Sequence, residues 1–273
     1  TRFVELMGAG GDAPAVPTPT VAACQIAVTD LDPAANLAAV GERLAALDDR
    51  VDVALFPEYA LTGFVADDRA HDAALDRDGP EIDRIGTYAA DHDLAVLAGF
   101  VEDASDEYYN TVVYAAPDGD LTFYRKRHLW AGESEVLAAG DEAVTVDTPA
   151  GETGLVTCYD LNFVEVSAAF ARERVDALFV VGAWPGAYSE NWRLLLRARA
   201  LDGVRWVVGC GRTGRRDLPD APSVDYAGRS AVVRPDGAVG HALNRDERTL
   251  VADLDPEILA EQREFVPVLA EDA

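Results

Sequence analysis

The stretch GLVTCYDLNF, residues 154–163, decides the fold. Its first half is apolar and short, as in a strand buried within a sheet, and it ends on Cys158. Polar residues follow directly, and a helical pattern begins near residue 163 and runs to about 174. A strand that hands over to a helix through a reactive residue belongs to an α/β architecture. Reading downstream, DALFVVGA (176–183) is another nearly continuous apolar run. SENWRLLLRARALDG (189–203) has helical spacing, a Ser at its start and a Gly at its end, and is expected to be capped by Ser189. WVVGCG, RSAVVRP with the turn Pro235-Asp236-Gly237, and TLVADLD supply further strands. Beyond Pro256 a helix and then an irregular tail are expected.

Upstream the same alternation holds. VAACQIAV (21–28) reads as a strand, Asp32-Pro33 as the cap and first turn of a helix to about 48, and VDVALF (51–56) as a buried strand. Gly79-Pro80 opens a second helix to about 92. LAVLAGFVE and NTVVYAAP follow, and the Pro117–Asp120 turn joins the latter to LTFYRKR as a hairpin. AVTVDTP leads back to the deciding stretch. With no linker or composition break, the expectation is a loose leader over 1–20 and one α/β domain over 21–273, whose two halves could form two sheets packed face to face with helices outside.

Composition narrows the function. Across 273 residues, 49% are hydrophobic, which suits a folded chain. The net charge of −26 makes nucleic acid and anionic membrane poor partners. The apolar runs are too short to span a bilayer, and the start lacks the pattern of a signal peptide, so a cytoplasmic location is expected. Acidic residues are spread along the whole chain. Such charge repels itself at low salt and is relieved by screening, which points to a salt-adapted, halophilic cytoplasm. Of 23 basic residues all are Arg except Lys126. A single lysine in an arginine-using chain suggests a task for a compact ammonium on a slim stem.

Cys24, Cys158 and Cys210 form no CxxC pair and no ladder with the four histidines, so neither a zinc site nor a disulfide framework is expected. Cys24 and Cys210 sit in apolar runs and read as small buried hydrophobes. Cys158 is followed by polar residues. Two other stretches also place a reactive residue just past an apolar strand: Glu58 in ALFPEYALTGF (54–64) and Lys126 in LTFYRKRHLW (121–130).

Together these three stretches resemble the signature blocks of the nitrilase superfamily of carbon–nitrogen hydrolases. The matching residues are Phe56-Pro57-Glu58 with Leu61-Thr62-Gly63-Phe64, then Tyr124 to Leu129, then Cys158-Tyr159-Asp160 with Phe163 and Glu165. Asn110, Gly140, Ala183-Trp184-Pro185 and the helix WRLLLRARALDG flank them in the right order, from about 21 to 255. The resemblance implies a four-layer α-β-β-α sandwich that pairs into homodimers or larger assemblies. It implies Cys158 as nucleophile, Glu58 as general base and Lys126 as oxyanion-stabilising cation, with the backbone N–H of Tyr159 as a second oxyanion donor. Glu133, in HLWAGE, falls where the family has a further glutamate; it would orient Lys126 or bind the substrate nitrogen. Tyr59, Phe163 and Trp184 lie beside motif positions and could line the acyl pocket or pack the core.

The chemistry is self-consistent. Acyl transfer from an amide needs a nucleophile, a proton shuttle and a partner for the oxyanion, and a thiol, a carboxylate and an ammonium supply them without metal or cofactor. The expected reaction is hydrolysis of a small linear amide through a thioester, releasing ammonia or amine. N-carbamoyl amides or nitriles are alternatives, and a catalytically silent regulatory subunit is one of another class. Where N-carbamoyl amino acid hydrolases carry arginines after the cysteine, this chain has Leu161 and Asn162, which argues against that substrate. His128 is expected to be a structural hydrogen-bonding residue, and Arg197 and Arg199 to form ion pairs.

Overall fold

The structure, a computed structural model, describes residues 17–267. In the first half, β1 (Thr20–Gln25) is followed by α1 (Pro33–Ala45), β2 (Val53–Leu55), the short α2 (Arg69–Asp72) and β3 (Leu75–Asp76), then α3 (Pro80–His92), β4 (Ala95–Asp103), β5 (Tyr108–Ala115) and β6 (Leu121–Arg125). In the second half, α4 (Glu133–Val136) precedes β7 (Thr145–Thr148) and β8 (Gly151–Thr157). A 3₁₀ turn, Cys158–Asn162, leads into α5 (Val164–Glu173). Then come β9 (Ala177–Gly182), α6 (Ser189–Gly203), β10 (Trp206–Gly211), the small hairpin β11 (Arg215–Arg216) and β12 (Val224–Asp225), β13 (Ala231–Val233), β14 (Val239–Ala242), β15 (Arg248–Asp253) and α7 (Pro256–Phe265).

Two mixed sheets result. One has the order β15-β1-β2-β4-β5-β6 with β3 beside β4; the other runs β14-β13-β10-β9-β8-β7. Alternation along β1 shows how they stack. Val21 and Ala23 face a core shared with Leu155, Phe179, Val181 and Val208 of the second sheet. Ala22 and Cys24 face the opposite way, onto Val40 and Leu44 of α1 and Ile82 and Ile85 of α3. On the far side, Leu178, Val180 and Val207 pack against Phe170 of α5 and Trp192, Leu196 and Ala200 of α6. The layers are helix, sheet, sheet, helix: the four-layer α-β-β-α sandwich.

Several boundaries differ from the sequence expectation. Strand β1 starts at Thr20 and ends at Gln25, leaving 26–28 to a loop that meets Thr213 through a single bridge at Ala27. Residues 1–16 of the expected leader and the end of the expected tail, 268–273, lie outside the described residues. Ser189 does not cap α6: it is the first helical residue, Tyr188 holds the cap position, and no side chain caps it. Asp32 does cap α1, accepting from Ala35 N at 3.0 Å. The strand expected over 229–235 shrinks to β13, and the turn at 235–237 closes a hairpin with β14, whose four residues are all exposed and lack an apolar signal. β15 then crosses to the other sheet and pairs antiparallel with β1 over its whole length. Among the described residues Arg197 forms no ion pair; its Nε donates to Gly237 O at 2.9 Å, whereas Arg199 pairs with Asp202 at 2.7 Å. Among the described residues, no helix is long and apolar enough to cross a membrane.

Candidate active site

Four side chains from four loops converge where the two sheets meet. Glu58 lies in the turn after β2. That turn packs so closely on β4 that a Cβ on Gly99 would come within 2.7 Å of Tyr59 N and 2.8 Å of Glu58 Cα. Lys126 follows β6; its backbone N–H donates to Asn110 O and its carbonyl accepts from Gly140 N, both at 2.8 Å. A side chain on Gly140 would collide with the carbonyl oxygen of Arg125, so the glycine permits this approach. Glu133 opens α4. Cys158 opens the 3₁₀ turn after β8 with φ of +48°, a left-handed conformation that a side chain tolerates only under surrounding constraint.

Lys126 is almost wholly buried and is the hub. Its Nζ donates to Glu58 Oε1 at 2.9 Å and to both Glu133 oxygens at 2.9 and 2.8 Å. Burial is the largest influence on the ammonium and works against its charge. The carboxylates of Glu133 and Glu58 outweigh it and hold the group well above the usual lysine range. Glu58 has further partners: Asn110 Nδ2 donates to Oε1 at 2.8 Å and Ala183 N to Oε2 at 2.7 Å. Glu133 also accepts from Trp130 N at 2.6 Å, from Asn110 Nδ2 at 3.1 Å and from the Tyr59 hydroxyl. It is buried, whereas Glu135, two residues on, is exposed.

The Cys158 thiol is pushed well above its usual value, first by burial and next by the Glu58 carboxylate; Lys126 opposes them without prevailing. The resting group is a thiol. Cys24 and Cys210 are also buried and free, with Cys24 pushed up to about 12 by burial. Neither borders a cavity that holds Cys158.

Two cavities meet at Cys158. The larger, about 550 Å³, is bordered by Glu58, Tyr59, Lys126 and Glu133 at its base and by Phe64, Val224 and Tyr226 higher up. Its wall is the β11–β12 hairpin, fastened to the 64–69 segment by Arg216 Nη1 donating to Phe64 O and Arg69 Nη1 to Pro219 O, each at 2.9 Å. The smaller, about 200 Å³, is bordered by Tyr159, Asn162, Trp184, Tyr188 and Asn191. Trp130 and Pro185 border both. Tyr59 and Trp184 thus line cavity walls. Phe163 does not border either; it stacks on the His128 ring at 3.6 Å between centroids, so its aromatic face is spent on packing.

Two residues had no role assigned from sequence. Asn110 bridges both carboxylates with one amide group. Asp160, fully buried, joins the cysteine turn to the lysine loop. It accepts from Tyr124 Oη at 2.6 Å, His128 N at 3.0 Å, His128 Nδ1 at 2.8 Å and Thr157 N at 3.2 Å. Its position two residues past the cysteine, inside the quoted block, was the available signal. His128 has the structural role expected of it.

A family model for carbon-nitrogen hydrolases matches residues 20–264. The chain belongs to the carbon–nitrogen hydrolase family. It is 31% identical over 242 residues to an (R)-stereoselective amidase of a Pseudomonas species, covering 88% of this chain and 87% of the relative. It is 30% identical to 2-oxoglutaramate amidase of Bacillus subtilis, over 80% of this chain and 83% of that one. The crystal structure of XC1258 from Xanthomonas campestris, a CN-hydrolase superfamily protein with an arsenic adduct in the active site, superposes with a TM-score of 0.84. Its identity is 29%, and the match covers 93% of this chain and 97% of that one. The carbon–nitrogen hydrolase described here is therefore a nitrilase-superfamily enzyme, a cysteine hydrolase acting on C–N bonds other than peptide bonds.

Proposed function

We propose that the enzyme is an amidase that hydrolyses small linear amides, with Cys158 as nucleophile, Glu58 as general base and acid, and Lys126 with Tyr159 N–H as the oxyanion partners. The observation that carries this reading is the buried Glu58–Lys126–Glu133 cluster at the base of a cavity that Cys158 also borders. As Sγ bonds to the amide carbon, its proton passes to Glu58, so no exposed thiolate need form first. The carbonyl oxygen takes the negative charge beside Lys126. Tyr159, in the first turn of the 3₁₀ segment, has a backbone N–H free of intrahelical partners. Collapse breaks the C–N bond, and Glu58 returns its proton to the departing nitrogen. Water then attacks the thioester with Glu58 again as base, regenerating the thiol. Glu133 already accepts from Lys126, Asn110, Tyr59 and Trp130. That supports a role in positioning Lys126 rather than in gripping substrate nitrogen. Tyr59 and Trp184 shape the pocket.

The test is release of ammonia or amine from a panel of amides, carbamoyl compounds and nitriles in molar salt, with Cys158→Ala in parallel and intact mass recorded. Turnover of amides lost in the variant, with an acyl adduct on Cys158, is expected. A folded protein with neither turnover nor adduct refutes the reading.

The same reading includes a salt-adapted cytoplasm and a homo-oligomer, within a single catalytic domain spanning 21–273. The spread of acidic residues supports the first. For the second, Val164, Leu194 and Leu201 on α5 and α6 are large apolar side chains more than half exposed, a surface suited to a second copy. Sedimentation in molar salt distinguishes a monomer from a dimer.

A further inference from the structure

The two cavities at Cys158 are unequal in size and in chemistry, and the reaction determines which part of the substrate enters each. The carbon attacked by Sγ carries three other groups: an oxygen, a nitrogen and the acyl chain. In the proposed mechanism the oxygen faces Lys126 and the nitrogen faces Glu58. Both residues border the larger cavity, and neither borders the smaller. The acyl chain is left with the smaller one. Departing ammonia would fill only about 30 Å³, the share of one water molecule. The whole cavity that Glu58 and Lys126 border is about 550 Å³; Phe64, Pro222, Val224 and Tyr226 give it apolar wall, and Asp67, Arg216 and Asp220 border it as well. That volume far exceeds what a departing ammonia needs.

We propose that this enzyme cleaves N-substituted amides, with a compact acyl group in the smaller cavity and an apolar amine substituent in the larger. The inference rests on the amidase reading above and adds the identity of the leaving group. The same seat for an amine implies acyl transfer. An amine occupying the larger cavity attacks the thioester carbon, the C–N bond forms as C–S breaks, and the amine proton passes through Glu58 to the departing sulfur.

The two sides are tested against each other. Wild-type enzyme is assayed with propionamide, hexanamide and N-benzylpropionamide, and its acyl-enzyme is partitioned between water and added benzylamine. Val224→Trp fills the larger cavity from the hairpin, and Asn191→Trp narrows the smaller one from an exposed position on α6. The expected result is kcat/KM for N-benzylpropionamide above that for propionamide. Val224→Trp should lower the ratio of the first to the second at least about tenfold, and should abolish N-benzylpropionamide synthesis from benzylamine. Asn191→Trp should penalise hexanamide relative to propionamide and spare the benzyl group. Good turnover of propionamide with none of N-benzylpropionamide overturns this inference and leaves the amidase reading standing. An exchange of the two variants' effects overturns the assignment of the cavities. Failure of every amide, with no adduct on Cys158, removes the amidase reading and this inference with it.

Discussion

Replacing Asp160 with Asn removes one charge and almost no volume, yet it should affect stability and catalysis together. Each oxygen of Asp160 accepts two hydrogen bonds. Oδ1 takes His128 N and His128 Nδ1; Oδ2 takes Tyr124 Oη and Thr157 N. An amide has one accepting oxygen and one donating nitrogen. The Tyr124 hydroxyl can turn to accept, and the His128 ring can change tautomer. Neither backbone N–H can turn. Whichever way the Asn side chain is placed, its NH₂ faces either His128 N or Thr157 N, and that donor is left buried without an acceptor. An orphaned buried donor costs about 1–3 kcal/mol, and the lost charge assistance adds to it, so a net loss of about 2–4 kcal/mol is expected.

The catalytic effect follows from where the strain goes. Thr157 N–H is the residue before Cys158, and His128 is two residues past Lys126, so the nucleophile and the ammonium shift relative to each other. Misplacement of about 1 Å at such a site costs on the order of 100-fold. A urea melt followed by tryptophan fluorescence measures the first quantity, and steady-state kinetics on a turned-over amide the second. kcat should fall far more than KM rises. An Asp160→Asn protein with the wild-type urea midpoint and kcat within about threefold of wild type would refute the reasoning, because it would show that the cysteine turn is held by packing alone.

Lys126→Arg keeps the charge but puts a planar fork where Nζ meets three carboxylate oxygens within 3 Å in a buried site; kcat should drop at least about 100-fold in the same assay. Stability should fall at alkaline pH. Burial holds Cys24 up to about 12 and raises Cys158 and Cys210, and it also raises Tyr59 and Tyr124. The unfolded thiols ionise near 9.0. Above that pH the native chain binds more protons than the unfolded one, so stability is full below about pH 9 and lost as pH rises. Each buried cysteine withdraws about 1.4 kcal/mol per pH unit until its folded value is reached. Urea midpoints at about pH 8 and about pH 10.5 check this, and equal midpoints would contradict it. The charge of −26 predicts that stability and activity rise from dilute buffer to molar salt. Full stability after dialysis into dilute buffer rules out salt adaptation.

The fold was legible wherever burial imposes a pattern. The runs around 51–56, 94–102 and 177–182 read as strands because sheet faces covered by helices on one side and a second sheet on the other leave no polar positions. β14 was invisible for the opposite reason: its four residues are exposed, and pairing with β13 holds them without help from their side chains. In the site, Glu58, Lys126 and Cys158 announced themselves by residue type just past apolar strands. The partners that fix them did not. Ala183 N and Trp130 N act through the backbone, which no side-chain pattern reveals, and the two readings of Phe163, pocket lining or packing, stayed open because an aromatic beside a motif can face a cavity or a histidine ring with the same sequence.

The pairing of two glutamates with one lysine has a physical reason under the proposed chemistry. At rest the cluster holds two carboxylates, one ammonium and a neutral thiol. Burial first, and then the Glu58 carboxylate, holds the thiol protonated; a thiolate formed in advance would put a third negative charge in the same buried space. When Sγ attacks, its proton neutralises Glu58 and the negative charge reappears on the substrate oxygen. The total does not change; the charge moves from one neighbour of Lys126 to another. Glu133 is the partner that stays, held by Trp130 N and Asn110 while the exchange occurs. With Glu58 alone, Lys126 would lose its counter-ion as the base took up a proton, and the ammonium would be anchored only by a substrate oxygen not yet fully charged. The second glutamate keeps the ammonium in place through that interval. Lysine suits the position because a point charge with three rotatable donors can keep one partner while trading another, whereas a guanidinium fork would have to reorient as a plane.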